Sequence, residues 1–125
     1  MTAHQFSELL NWLTSVQPTH AHHGLCIGGD YQFHNLVRKL FPQCIIIGHP
    51  PLNDTKTAKG IVCDILRKPK RYLDRNHDIV DECHKFVATP KEYNEVLRSG
   101  TWSTIRYALK AWHDGRPISV TVITP

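Results

Sequence analysis

The sequence predicts an α/β domain, a Rossmann-like three-layer sandwich with a mostly parallel sheet. Three observations carry that prediction. Short β-branched runs alternate with segments whose apolar residues recur at helical spacing. One run, Cys44-Ile45-Ile46-Ile47, is apolar throughout, the pattern of a strand covered on both faces. Several strand patterns also end in turns of unusual composition, which suits a sheet that binds ligands at the carboxyl ends of its strands. At 125 residues, 41% hydrophobic and 21% charged, the chain fits one globular domain spanning residues 1–125.

Taken in order, Phe6, Leu9, Leu10, Leu13 and Val16 give an amphipathic helix from Thr2 to about Val16. Thr2 and Gln5 have the form of a capping box at its start. Leu25-Cys26-Ile27 reads as a short strand running into Gly28-Gly29-Asp30, and Phe33, Leu36, Val37 and Leu40 mark a second helix. The strand at Cys44–Ile47 ends at Gly48-His49-Pro50-Pro51, where two prolines forbid helix and hold an extended turn. A long basic loop at about 52–72 carries Lys56, Lys59, Arg67, Lys68, Lys70 and Arg71. Within it, residues 61–66 fit either a strand or a helical turn. About Asp74 to Cys83 reads as a helix, Phe86 to Thr89 as a strand, and Gly100 to His113 as a helix with Ile105, Ala108, Leu109 and Trp112 inward. Ile118 to Ile123 is the last strand.

No apolar run is long enough to span a membrane, and no charged, apolar, small-residue leader opens the chain, so a cytoplasmic location without membrane association is expected. Cys26, Cys44, Cys63 and Cys83 have no close pairing and read as reduced, mostly buried thiols. The net charge of +4 favours anionic partners. Nine histidines raise the question of metal. His20, His22, His23 and Cys26 crowd one segment, and Cys83-His84 adds two donors, but no paired motif has zinc-finger spacing. Neighbours along a strand point to opposite faces. The reading is ordinary packing and surface histidines, with no metal and no cofactor.

The densest site signal is Arg98-Ser99-Gly100-Thr101-Trp102-Ser103-Thr104, a small-residue turn that opens a helix. Free N–H groups of a first helical turn and the positive end of the helix dipole suit a phosphate. Gly100 allows close backbone approach, Ser99 and Thr101 add hydroxyls, and Arg98 and Arg106 supply countercharge. The plainer alternative is that Ser99 or Thr101 caps the helix and Arg98 is solvated. Gly28, Gly29, Asp30, His49 and Pro50 would join the same rim of strand ends, Asp30 suiting a ribose hydroxyl or the start of its helix. Arg75 either forks onto a phosphate or pairs with Asp78, and Asn76 either caps or reads ribose. Trp102 either packs or stacks on a base.

The ordered motifs His22-His23-Gly24-Leu25-Cys26-Ile27-Gly28-Gly29-Asp30, Gly48-His49-Pro50-Pro51, Tyr72-Leu73-Asp74-Arg75-Asn76-His77-Asp78, Ala88-Thr89-Pro90 and Arg98-Ser99-Gly100-Thr101-Trp102 resemble the small Rossmann-like proteins of the SMF/DprA-LOG (SLOG) superfamily. The likeness is greatest to members of the DNA recombination-mediator-like type. It implies a nucleotide or nucleotide-derived ligand at the strand ends. Two departures stand out. Members similar to this chain begin with a strand and a Gly-Thr turn, whereas here the first helix starts almost at Met1, so a central strand is expected to be lacking. The phosphoribohydrolase branch carries Gly-Gly-x-Gly-Thr-x-x-Glu, and Thr104 stands where that glutamate would be.

Three functions follow as expectations. The first is a sensor or sequestering module for an NAD-, ADP-ribose- or cyclic-nucleotide-like ligand, with Arg98, Ser99, Gly100, Thr101, Trp102 and Thr104 in its site and no catalytic group. The second is a LOG-type nucleoside monophosphate N-glycosidase, for which Thr104 supplies no acid. The third is a DprA-like protein on single-stranded DNA, favoured only by basicity and relatedness. Marginal stability or assembly into a homo-oligomer is expected if the sheet lacks its middle.

Overall fold

The capping box at the start of the chain is formed. In the computed structural model, which describes residues 1–125, the Gln5 N–H donates to Thr2 Oγ1 at 3.0 Å and the Thr2 N–H donates to Gln5 Oε1 at 3.0 Å. They open α1 (Ala3–Val16), which ends at Gln17 in the left-handed region with φ 50°. Leu9 and Leu13 are buried, each side chain contributing about 1.5–3 kcal/mol relative to exposure. The same buried Gln5 also reaches across the molecule, its Nε2 donating to Pro90 O at 2.7 Å and Ile123 O at 2.8 Å. One side chain thus starts a helix and ties it to two distant segments.

After α1 come β1 (His20–His23), α2 (Gly29–Leu40), β2 (Ile45–Gly48), β3 (Ile65–Leu66), α3 (Tyr72–Glu82), β4 (Lys85–Ala88), α4 (Gly100–His113) and β5 (Ser119–Val122). The fold is mixed α/β, and every strand pair is parallel. In the first sheet β2 lies between β1 and β3, with Ala21 opposite Ile46, His22 opposite Ile47, and Ile47 opposite Ile65. In the second, β4 pairs with β5, placing Phe86 opposite Val120 and Ala88 opposite Val122. One core gathers Leu9, Leu13, Leu36, Val37, Ala21, Ile46 and Ile123 under α1 and α2. The other gathers Val80, Phe86, Ala88, Trp102, Ile105, Ala108 and Ile118 under α3 and α4.

The single sheet expected from the sequence is therefore two. No backbone pairing joins β1 to β4, and each ends its sheet with an unpaired edge. All residues of both strands line one large cleft of about 1850 Å³. α1 bridges the two halves, through Gln5 and through the packing of Ile123 beside Leu9 and Leu13.

Other expectations also shift. The first strand is His20–His23, not Leu25–Ile27. An apolar pattern singled out the latter, but Leu25 adopts φ 59°, which no strand tolerates, and the histidines bury their rings by bonding one another. Residues 65–66 resolve as a strand rather than a helical turn. α3 starts at Tyr72, two residues before the expected Asp74, which lies in its first turn. On α4, Leu109 and Trp112 are exposed while Trp102, Thr104 and Ala111 join Ile105 and Ala108 inside, because the inward stripe is set one position earlier than predicted. All four cysteines are free, with Cys44 buried and the other three half-buried. No helix is long and apolar enough to cross a membrane.

Candidate functional site

The helices α2, α3 and α4 all begin at one rim of the cleft. Gly28, with φ 87°, precedes α2 without any side-chain cap. Gly29 stands beside the end of β4, since a Cβ there would lie 3.7 Å from Thr89 Oγ1. Gly100 packs so closely on Tyr72, the first residue of α3, that a Cβ would come within 2.6 Å of Cε1. Gly28, Gly29, Asp30, Tyr72, Arg75, Asn76, Arg98, Ser99, Gly100, Thr101 and Thr104 line the cleft. Their positions bring the positive ends of three helices to one concave surface.

Arg75 is the central cation of this rim. It is only 2% exposed, and its guanidinium carbon lies 4.6 Å from the centroid of the Tyr72 ring. Nη1 donates to Gly24 O and, at 2.8 Å, to His49 O, while Nη2 meets Cys26 Sγ at 3.1 Å. A side chain at Gly24 would occupy the space of that guanidinium. Arg75 forms no ion pair, and its buried Nε has no hydrogen-bond partner. Of the two readings of the sequence, the surface pair with Asp78 is overturned: Asp78 pairs instead with Lys70 at 2.6 Å. Asp30 is turned inward to its own loop, accepting from the Gly24 N–H at 3.1 Å and the Cys26 N–H at 3.0 Å.

In the Arg98 to Thr104 segment the helix cap is formed and two of the residues face the cleft. Ser99 Oγ accepts from the Trp102 N–H at 3.2 Å and caps α4, as the plainer alternative required. Arg98 and Thr101 remain exposed on the cleft. Thr104 Oγ1 donates to Gly100 O at 2.8 Å, back along its own helix. Trp102 is buried, its Nε1 donating to Glu92 Oε1 at 3.0 Å, so it packs rather than offering a face to a base. Arg106 is held by Glu95 at 2.7 Å. His49 and Pro50, expected on the rim, do not line the cleft; Pro50 O accepts from the Lys70 N–H at 3.2 Å, pinning the basic loop.

Histidines sit on both faces of β1. On one face His23 Nε2 bonds His34 Nδ1 at 2.9 Å, with Cys63 Sγ 3.9 Å from the same nitrogen. On the other, His22 Nδ1 and His49 Nε2 are 2.9 Å apart beside Glu82. Burial pushes His23 and His34 below the usual imidazole range, and His49 down to about 4, so these rings are neutral at pH 7. His22 shifts the same way, again chiefly through burial. Burial also raises the Cys26 and Cys63 thiols and takes Cys83 up to about 11, which keeps them protonated and unreactive.

The sequence alone assigns no site role to Tyr72, His34, Cys63 or Glu82. His34, Cys63 and Glu82 each meet a partner on another segment, and only the register of β1 on β2 brings His22 and His49 to one face. Comparison with protein-family models, with curated proteins and with solved structures finds no match.

Proposed function

We propose that this chain is a Rossmann-like member of the SLOG superfamily that binds a phosphate-bearing, nucleotide-derived ligand in the cleft, as a sensor or sequestering module. The observation that carries this reading is Arg75. A buried guanidinium without a carboxylate partner, set where three helices begin, creates a positive potential that an anion from the cleft relieves. Arg98 and the hydroxyl of Thr101 stand at the open edge, where a phosphate oxygen would add charge-assisted bonds. The cleft, about 1850 Å³, has room for a ribose and base.

Hydrolysis of the glycosidic bond is the weaker reading. Thr104 offers only a hydroxyl already engaged with Gly100, Asp30 has its Oδ2 held by two backbone donors of its own loop, and His49 is bonded to His22. None supplies a free acid at a leaving base. The test is mass spectrometry of small molecules released by acid from protein purified at low salt. A stoichiometric nucleotide derivative supports the reading. A clean protein that also shows no thermal shift with ADP, ADP-ribose, NAD and cyclic nucleotides contradicts it.

A further inference from the structure

Two groups of potential metal ligands flank β1, and their hydrogen bonds distinguish them. In each, three ligand atoms lie within 4.8 Å of one another. In the group His23, His34 and Cys63, His23 Nδ1 accepts from the Leu25 N–H at 3.0 Å. That nitrogen therefore carries no proton, and the neutral ring carries its proton on Nε2, where it donates to His34 Nδ1. Nε2 could bind a metal only as an imidazolate. This group is a buried hydrogen-bonded pair with a thiol beside it.

The group His22, His49 and Glu82 has no such obstacle. His22 lies opposite Ile47 in the sheet, and His49, two residues on, shares the face of Ile47. Both rings therefore project toward Glu82, the last residue of α3. Their only hydrogen bond is to each other, so the far nitrogen of either ring is free to carry the proton when the facing nitrogens bind an ion. Glu82 Oε1 accepts from Arg67 Nη2 at 2.6 Å, which orients the carboxylate and leaves its second oxygen without a partner. A cation here also sits at the negative end of α3.

We propose that His22, His49 and Glu82 bind a divalent transition-metal ion of the zinc class. Two imidazoles and one carboxylate are the donor set of open, three-ligand zinc sites, which keep a fourth position for water or an exogenous ligand. His22 and Glu82 line the same cleft as Arg98, so that position is reachable from it. The metal assignment does not rest on the anion reading, although Arg75 holds the backbone oxygen of His49.

The test is titration of EDTA-stripped protein with Zn²⁺ against a chromophoric chelator, and with Co²⁺ by visible absorption. One equivalent is expected to bind, with tetrahedral or five-coordinate Co²⁺ bands and no thiolate charge-transfer band. Affinity should fall at least about tenfold in Glu82→Gln and in His22→Gln, and remain unchanged in Cys63→Ser. Glu82 is partly exposed, so its variant keeps the fold even if the variant of buried His49 does not. Absence of stoichiometric binding, binding indifferent to Glu82→Gln and His22→Gln, or a thiolate band lost in Cys63→Ser would each overturn the assignment.

Discussion

Arg75 Nη1 donates to the backbone oxygen of His49 at 2.8 Å, joining the first turn of α3 to the chain just beyond β2. The same nitrogen holds Gly24 O, beyond β1. One guanidinium therefore fixes the carboxyl ends of two adjacent parallel strands against a helix start. That geometry makes Arg75 both a clamp and the source of the rim's positive charge.

Arg75→Lys keeps the charge and loses the fork. An ammonium cannot span two carbonyls and a sulfur, so at least one buried acceptor is left unsatisfied, at a cost of about 1–3 kcal/mol. A drop in melting temperature of several degrees is expected. An unchanged melt would show that the clamp is dispensable.

The buried histidines set a pH dependence. His23 and His49 are neutral in the fold, with pKa values near 4, while in the unfolded chain they titrate near 6.5. Between these values the unfolded state binds more protons, so stability falls as pH drops below about 6.5 and is flat above it on this account. Thermal melts in EDTA from pH 7.5 to 5 should lose several degrees, most of it below pH 6.5. A melting temperature that holds constant down to pH 5 would contradict burial of the neutral rings.

Release of free base from AMP or GMP is not expected. The only side chain at the glutamate position of the hydrolase motif, Thr104, is bonded within α4. Chromatography of long incubations should show less adenine or guanine than enzyme. Multiple turnovers would restore the glycosidase reading.

The unpaired edges of β1 and β4 border one cleft, and unpaired strand edges favour further pairing. An extension of about ten residues before Thr2, a β-branched run closed by Gly-Thr, is expected to enter between them and raise the melting temperature by several degrees. An equally stable, monomeric, cooperative chain without it would show that the two sheets need no further strand.

Much of this architecture was legible in the sequence because it is local. The capping box of Thr2 and Gln5, the apolar stripe of α2 and the isoleucine run of β2 each depend on neighbours a few residues away. The first strand escapes the sequence pattern because His22 and His23 are accommodated by pairing with His49 and His34, partners that no periodicity announces. At the rim, the glycine turns and Arg98 stand out by composition. The clamp role of Arg75 does not, because its acceptors are backbone oxygens that exist at every residue and are chosen only by the fold.

The central claim is that the cleft binds a phosphate-bearing nucleotide derivative at the rim where α4 begins. Calorimetry of the wild-type chain and of Arg98→Ala with ADP and ADP-ribose tests it most directly, because Arg98 is exposed and its loss leaves the clamp intact. The account predicts measurable binding by the wild type and a loss of roughly 1.5–3 kcal/mol in the variant, about 10- to 150-fold in Kd. Equal affinities, or no binding of either nucleotide to the wild type, would contradict it.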